Sequence, residues 1–441
     1  MSNHLIDPAP RSYVPTVYLR ARSDRGPACA PEKQTLDDVR KWLLYEASGN
    51  NDVLLLFEEF MWRCHAAGLA IDRSTLHVGT LHPQFIGFSW MWNATDGLCD
   101  EIAADARSLE SEAFRRSPLF KVMSLGETIK VDLATEEGRQ SAPIMLELAE
   151  EGYTFYGAMP LSNGSGQMRN AMTLATKHPG GWPEEVKDEI RKILDLFAFH
   201  VERHILVRIA QNVADTYLGP IAGRRVLDGE IKRGDGESIQ AVVFMCDMRG
   251  FTGLADRLSG PDVTAILNAY FDLVSDAVLN NGGDILKFMG DGILAVFDQN
   301  ALGADKAAEA ALSAARTALS AIDQLNTAPK GLPDKSLWHP IRIGIGLHQG
   351  EVFFGNVGGE DRLDFTVIGR AVNETSRVEA LCKPLGQTLL LTEPVRAALP
   401  GTFHDELSAM GDHALRGVGQ PVAIYASGHA HPSSSAPQPI S

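Results

Sequence analysis

Ile285-Leu-Lys-Phe-Met-Gly-Asp-Gly-Ile-Leu-Ala-Val-Phe297 reads as a β-hairpin, because Gly290-Asp291-Gly292 places turn residues between two apolar runs. The turn leaves the Asp291 carboxylate on an exposed tip. A second run, Ala241-Val-Val-Phe-Met-Cys246, is short, β-branched and aromatic, as a buried strand is. It delivers Asp247 to its end and then turns through Met248-Arg249-Gly250-Phe251-Thr252. If the two strands are neighbours, the acids converge. Hard oxygen donors at such a point suit Mg²⁺, which takes a few carboxylates and substrate phosphates rather than an all-protein cage. Either aspartate alone reads equally well as a turn cap. The pair gains weight from its company: a Gly-Phe-Thr loop after Asp247, and Lys287 four residues before Asp291.

Four segments then occur in a telling order: Phe244-Met-Cys-Asp-Met-Arg-Gly-Phe-Thr252, Gly282-Gly-Asp-Ile-Leu-Lys-Phe-Met-Gly-Asp-Gly292, Ile343-Gly-Ile-Gly-Leu-His-Gln-Gly-Glu351 and Val367-Ile-Gly-Arg-Ala-Val-Asn-Glu-Thr-Ser-Arg377. With them, residues 238–428 resemble the catalytic domain of class III nucleotidyl cyclases, the adenylate and guanylate cyclases. Any one segment is a weak signal, and four in order are a strong one. The resemblance implies that Asp247 and Asp291 hold two Mg²⁺ ions per site, for which Mn²⁺ can substitute, with the Met248 carbonyl assisting. It implies that Gly250, Phe251 and Thr252 hold the terminal phosphates through backbone N–H groups and the Thr252 hydroxyl.

Lys287 falls where the family selects the base. A lysine there donates to a ring nitrogen that accepts in adenine but carries hydrogen in guanine, so the implied substrate is ATP. Thr366 stands where many adenylate cyclases have aspartate, and its hydroxyl can accept from the adenine amino group. Asp364 is close enough in sequence that a slip of two residues changes this assignment. Asn373 and Arg377 are four apart in a helical segment and share a face. The family uses such a pair to orient the ribose and to steady charge on the α-phosphate, a task suited to a planar guanidinium. Arg416, in Leu415-Arg-Gly-Val-Gly419, stands where the family usually binds triphosphate with lysine.

Composition narrows the alternatives. The 441 residues suffice for two or three domains, and 44% hydrophobic with 22% charged residues is ordinary for a globular protein. A formal charge of −16 opposes nonspecific nucleic-acid binding. Five scattered cysteines without a Cys-x-x-Cys pair argue against disulfides or a zinc site. No run is long enough to span a bilayer and the N-terminus lacks signal-peptide features, so a cytoplasmic location without membrane partners is expected.

Along the chain, residues 1–35 are Pro-rich and expected to form a flexible arm; 429–441, rich in Pro and Ser, read as a disordered tail. Residues 36–200 alternate helices with short strands and resemble a GAF-type sensor domain, which would enclose an unknown small molecule. Phe88, Trp90 and Trp92 either line that cup or fill the core. His65, His77 and His82 lack metal-ligand spacing. From 184 to 237 runs a helical linker and hinge. In it Val186, Ile190, Leu194, Phe197, Val201, Ile205, Ile209 and Val213 make an apolar stripe, packing early on its own domain and late on an identical helix. Tyr217-Leu-Gly-Pro220 and Gly234-Asp-Gly236 break it. The expected fold is α+β, a ferredoxin-like cyclase domain after a GAF-like α/β sensor.

The resemblance implies attack of the ATP ribose 3′-hydroxyl on the α-phosphorus, giving cyclic AMP and pyrophosphate. It also implies a head-to-tail homodimer. Each site then takes Asp247, Asp291, Lys287 and Thr366 from one subunit and Asn373, Arg377 and Arg416 from the other. The rivals are a guanylate cyclase, opposed by Lys287, and a catalytically silent nucleotide-binding regulator. A diguanylate cyclase is suggested by Gly282-Gly-Asp284, but Ile285-Leu286 replaces its required Glu-Phe.

Overall fold

The computed structural model describes residues 6–79, 85–162, 169–329 and 338–428, so His82 and the tail from 429 lie outside the described residues. The chain divides near residue 213 into two compact units. Among the described residues no helix is long and apolar enough to cross a membrane.

The N-terminal unit is built on an antiparallel sheet of β1 (Val17–Ser23), β2 (Arg73–Gly79), β3 (Phe85–Asn93), β4 (Cys99–Asp105), β5 (Ile129–Asp132), β6 (Phe155–Ser162) and β7 (Asn170–Thr176), in the order β1-β4-β3-β2-β7-β6-β5. Strand alternation sorts its residues. Phe88, Trp90 and Trp92 point to one face and fill a core with helices Leu36–Tyr45, Val53–Ala66 and Glu184–Leu218. Small residues such as Ala158, Ala171 and Ala175 take the other face, beneath helices Pro118–Leu125 and Pro143–Glu150.

Residues 6–35 are not a loose arm. β1 pairs with β4, and the buried Asp100 carboxylate gathers Tyr13 Oη at 2.5 Å, Arg22 Nε at 2.6 Å and Arg11 Nη1 at 3.1 Å. Prolines that discourage regular structure are outweighed here by charge-assisted hydrogen bonds to one buried acid. Along the helix Glu184–Leu218, the stripe Ile190, Leu194, Phe197, Val201 and Ile205 is spent on its own unit, while Val213 is 41% exposed. Arg208 fastens the helix to the sheet: its guanidinium lies 3.9 Å from the Phe88 ring centroid and 2.7 Å from Glu101, which also accepts from Trp90 Nε1 at 3.0 Å.

Among the described residues the C-terminal unit has eight strands: β8 (Gly236–Met248), β9 (Asp284–Met289), β10 (Gly292–Asp298), β11 (Ile343–Gly358), β12 (Leu363–Ile368), β13 (Leu389–Thr392), β14 (Leu407–His413) and β15 (Val422–Ser427). Their order is β14-β15-β13-β11-β8-β10-β9, with β12 folded back on β11. Helix Gly260–Asn280 joins β8 to β9, and helix Ala304–Thr327 joins β10 to β11. The centre β11-β8-β10-β9 is therefore the expected ferredoxin-like β-α-β-β-α-β pattern. Ser259 caps the first helix and a proline sits in its first turn. The alanine-rich second helix packs tightly because Ala307, Ala308, Ala311, Ala314, Ala315 and Ala318 are all buried. Between them, Val242, Phe244, Cys246, Ile293, Ala295 and Phe297 form the main core, and all five cysteines are free.

Gly219 ends the long helix with φ +85°, a conformation that favours glycine, and Pro220 opens the helix Pro220–Leu227. Asp284 of β9 is buried near Gly219 without a well-formed hydrogen bond on either oxygen. Burial pushes its carboxyl up to about 7, tempered only by the Ile285 N–H. The folded chain then holds a proton that the unfolded chain releases near pH 4, so this group's contribution to stability is lost as pH rises from about 4 to 7. Asp284→Asn is expected to raise stability at pH 8 by about 2 to 4 kcal/mol and to flatten that pH dependence in urea unfolding.

Candidate active site

Because β10 and β8 pair antiparallel with Gly292 opposite Asp247, Asp291 stands just beyond the end of β8, beside Asp247. The two-residue turn gives Gly290 φ +65° at its first central position, as a type II′ hairpin requires. The Asp291 carboxyl is pushed above the usual range, first by burial and then by the Asp247 charge beside it, while Arg249 pulls the other way. Two facing carboxylates are the convergence that the sequence predicted. Among the described residues no three His, Cys, Asp or Glu side chains form a metal-ligating group. A hard-oxygen pair of this kind fits Mg²⁺, which keeps places for water and phosphate, and does not fit a closed structural site.

Met248 follows with its side chain in the core, and Gly250, at φ +77°, starts the short helix Phe251–Ala255. The first N–H groups of that turn have no helical acceptor and are available to an anion. Lys287 shares a face with Asp247 because of an irregularity. Leu286 is an extra residue in β9, bulged between Lys287, which pairs with Leu294, and Ile285, which pairs with Ala295. Strict alternation would have sent Lys287 to the side of Ile285 and the helical core.

Lys287 Nζ meets Asp364 Oδ2 at 2.6 Å, and this pairing holds the exposed Asp364 carboxyl below its ordinary range. Asp364 and Thr366 lie on one face of β12, opposite the buried Phe365 and Val367. The structure thus sets Asp364, which the sequence pattern offered only as an alternative to Thr366, against Lys287, with Thr366 on the same face of β12.

Asn373 and Arg377 lie on the helix Arg370–Leu381, whose Ala371, Thr375 and Val378 are buried, so the amide and guanidinium share its outer side. His348 Nε2 stands 3.0 Å from Glu374, and its Nδ1 2.9 Å from Thr392 Oγ1; Arg370 also pairs with Glu374. These buried contacts fix the helix rotation. Arg377 lies over Gly417, where an added Cβ would stand 3.6 Å from Nη2, and Arg416 belongs to the same Leu415–Val418 turn. The eight named side chains thus fall into two groups. Asp247, Asp291, Lys287, Asp364 and Thr366 make one, and Asn373, Arg377 and Arg416 the other; among the described residues no ion pair or hydrogen bond joins them.

Sequence reading missed Arg249 and Glu379. Arg249 passes over Gly344, where any Cβ would collide with it, and reaches the Glu379 carbonyl at 3.1 Å and Glu379 Oε1 at 2.6 Å. The carboxylate contact is a charge pair off the N–H axis, leaving Oε1 without a true hydrogen bond. Burial pushes the Glu379 carboxyl up to about 7, against the pull of Arg249 and with the push of Asp247. The pair ties the end of β8 to the helix bearing Asn373 and Arg377. Arg249→Ala is expected to cost about 3 kcal/mol or more at pH 8, where the buried Glu379 carboxyl loses its cation and must either stay ionised without one or take up a proton, and less at pH 6, where it already carries a proton. Arg249→Ala combined with Glu379→Gln should recover most of that loss in chemical denaturation.

Residues 236–426 match the model of the adenylate and guanylate cyclase catalytic domain. An adenylate cyclase of Anabaena cylindrica is 32% identical over 209 residues, covering 47% of this chain and 38% of that protein. The terminal-differentiation adenylate cyclase of Dictyostelium discoideum is 30% identical over 195 residues, covering 44% of this chain and 9% of that one. The crystal structure of the adenylyl cyclase CyaB from P. aeruginosa aligns at 29% identity with a TM-score of 0.39, over 44% of this chain and 97% of that one. The chain thus spans well under half the length of these curated relatives, and the likeness is that of one domain. Residues 236–426 are therefore similar to the catalytic domain of adenylate and guanylate cyclases.

Proposed function

We propose that the chain is an adenylate cyclase that converts ATP to 3′,5′-cyclic AMP and pyrophosphate at sites shared between two copies of the chain. The observation that carries this reading is the approach of Asp291 to Asp247 on the sheet face that also bears Lys287. Divalent cations bound there would neutralise phosphate charge and make the ribose hydroxyl easier to ionise. The chain's own residues bind and orient. Phe251 and Thr252 offer N–H groups to the terminal phosphates, Lys287 donates to the adenine ring, and Thr366 accepts from its amino group. Asn373 holds the ribose, while Arg377 and Arg416 meet charge that grows on the phosphates. Nucleophile and electrophile belong to one molecule, so holding a bent conformer is most of the task.

The separation of the residues into two groups supports a homodimer in which each subunit gives one group to each of two sites. The N-terminal unit acts in this reading as a GAF-type sensor, whose small ligand biases the dimer by binding its active arrangement more tightly. Purified protein incubated with ATP, GTP, CTP or UTP and Mg²⁺ or Mn²⁺ tests the chemistry. Cyclic AMP as the main product is expected. Preferential cyclic GMP would overturn the base assignment, and no cyclic product with either ion would make the domain a silent nucleotide binder.

A further inference from the structure

One cavity lies in the N-terminal unit on the sheet face that Phe88, Trp90 and Trp92 do not occupy. Its volume is about 180 Å³. The room exists because the strands present small residues there, Thr75 on β2 and Thr173 and Ala175 on β7, beneath Leu119, Ile144 and Leu148 of the covering helices. An engineered cavity of about 150 Å³ takes benzene, so this one has space for a single ring and one small substituent.

The sheet wall is polar where a core would ordinarily be apolar. Thr173 Oγ1 lies 2.5 Å from Thr75 Oγ1, which lies 2.8 Å from His77 Nε2, and His77 Nδ1 lies 2.8 Å from Ser89 Oγ. Tyr156 lines the same cavity beside Thr173. In such a chain each hydroxyl keeps an acceptor lone pair for a ligand, and the direction of donation can reverse to suit it. Burial pushes His77 down to about 4 and Tyr156 up to about 12, so both are uncharged near neutral pH. Arg73 is then the one ionised group lining the cavity among the described residues. Its partner Glu151 is 3.6 Å away and half exposed, a weak pairing that a better anion can displace.

We propose that this cavity binds a monocyclic aromatic carboxylate, with the ring between the hydroxyl-bearing sheet wall and the apolar helix wall and the carboxylate on Arg73. One cation selects a monoanion over a phosphate dianion, and the guanidinium fork matches a carboxylate. The proposal names the ligand class for the sensor reading above and rests on that reading only for its effect on turnover.

Calorimetry on the full chain with benzoate, its neutral isostere benzamide and the dianion phenylphosphonate tests it. Benzoate should bind at least about tenfold more tightly than benzamide, a charge-assisted hydrogen bond being worth that much. Arg73→Gln, near the surface and weakly paired, should erase the difference. Ala175→Leu should fill the cavity and remove binding of all three. Equal binding of benzamide, tighter binding of phenylphosphonate, indifference to Arg73→Gln, or no heat from any probe would overturn the proposal. Benzoate binding that depends on Arg73 but leaves cyclase turnover unchanged supports the site and removes the sensor role. A turnover response that survives Arg73→Gln keeps a sensor and rejects this site.

Discussion

Asp247→Ala and Arg377→Ala proteins are each expected to lose cyclase turnover by about 100-fold or more, yet to regain about a quarter of wild-type activity when mixed in equal amounts. The first loss follows from removing one of two facing carboxylates: Asp291 alone is a single hard ligand, too little to hold cations against water. The second follows, on the proposed reading, from removing the guanidinium of Arg377 that would answer charge developing on the phosphate. The regain follows from symmetry. Random pairing makes about half of the dimers mixed, and each mixed dimer has one site with both mutations and one with neither, hence about a quarter of all sites intact. A site complete within one subunit would give no regain at all. Circular dichroism and size-exclusion chromatography of each variant should show folded dimers, so that absence of regain is read as a failure of shared sites.

The elements that carry this prediction differ in how legible they are from residues alone. Asp247 and Asp291 are readable because strand ends and Gly-flanked turns have local signatures; that β8 pairs with β10, the far arm of the hairpin, is not. The side of the sheet on which Lys287 emerges is not readable. It depends on the bulge at Leu286, and an apolar residue followed by lysine has the same pattern with or without one. Arg249–Glu379 is likewise hidden: its partners are 130 residues apart, and the glycine that makes room, Gly344, lies on a third segment. In the N-terminal unit, the three aromatics in alternation on β3 fill the core, one of the two roles their pattern allows. Alternation puts all three on one face, and a cavity of about 180 Å³ lies on the opposite face, where the residues are small. The arm before residue 35 misled for a different reason, since its order comes from long-range bonds to Asp100 that no local pattern encodes.

Lys287→Glu should lower kcat/KM for ATP by about 10- to 100-fold, the value of a charged hydrogen bond made to the base. The change also sets two acids side by side, because Asp364 already stands within 2.6 Å of the position the ammonium occupies. Repulsion between them would loosen the β9–β12 contact and add to the loss. Lys287→Glu with Asp364→Lys restores the pair with its polarity reversed. The rim then offers an acceptor where guanine carries its ring N–H and a donor toward a carbonyl oxygen, while adenine meets donor against donor at its amino group. The double variant should therefore turn over GTP better than ATP, with Thr366 unchanged. Mg²⁺ dependence should match wild type, because neither substitution touches Asp247 or Asp291. Steady-state kinetics with both nucleotides at several Mg²⁺ concentrations measures all of this. Unaltered ATP preference in the single variant would mean that Lys287 is a solvated strand charge held by Asp364, and that the base is read elsewhere. The exposed pair itself costs little to open, under about 1 kcal/mol, so its presence in the free chain does not keep Lys287 from the substrate. On the proposed reading, this pair keeps the ammonium pointed toward β12 until a base displaces it.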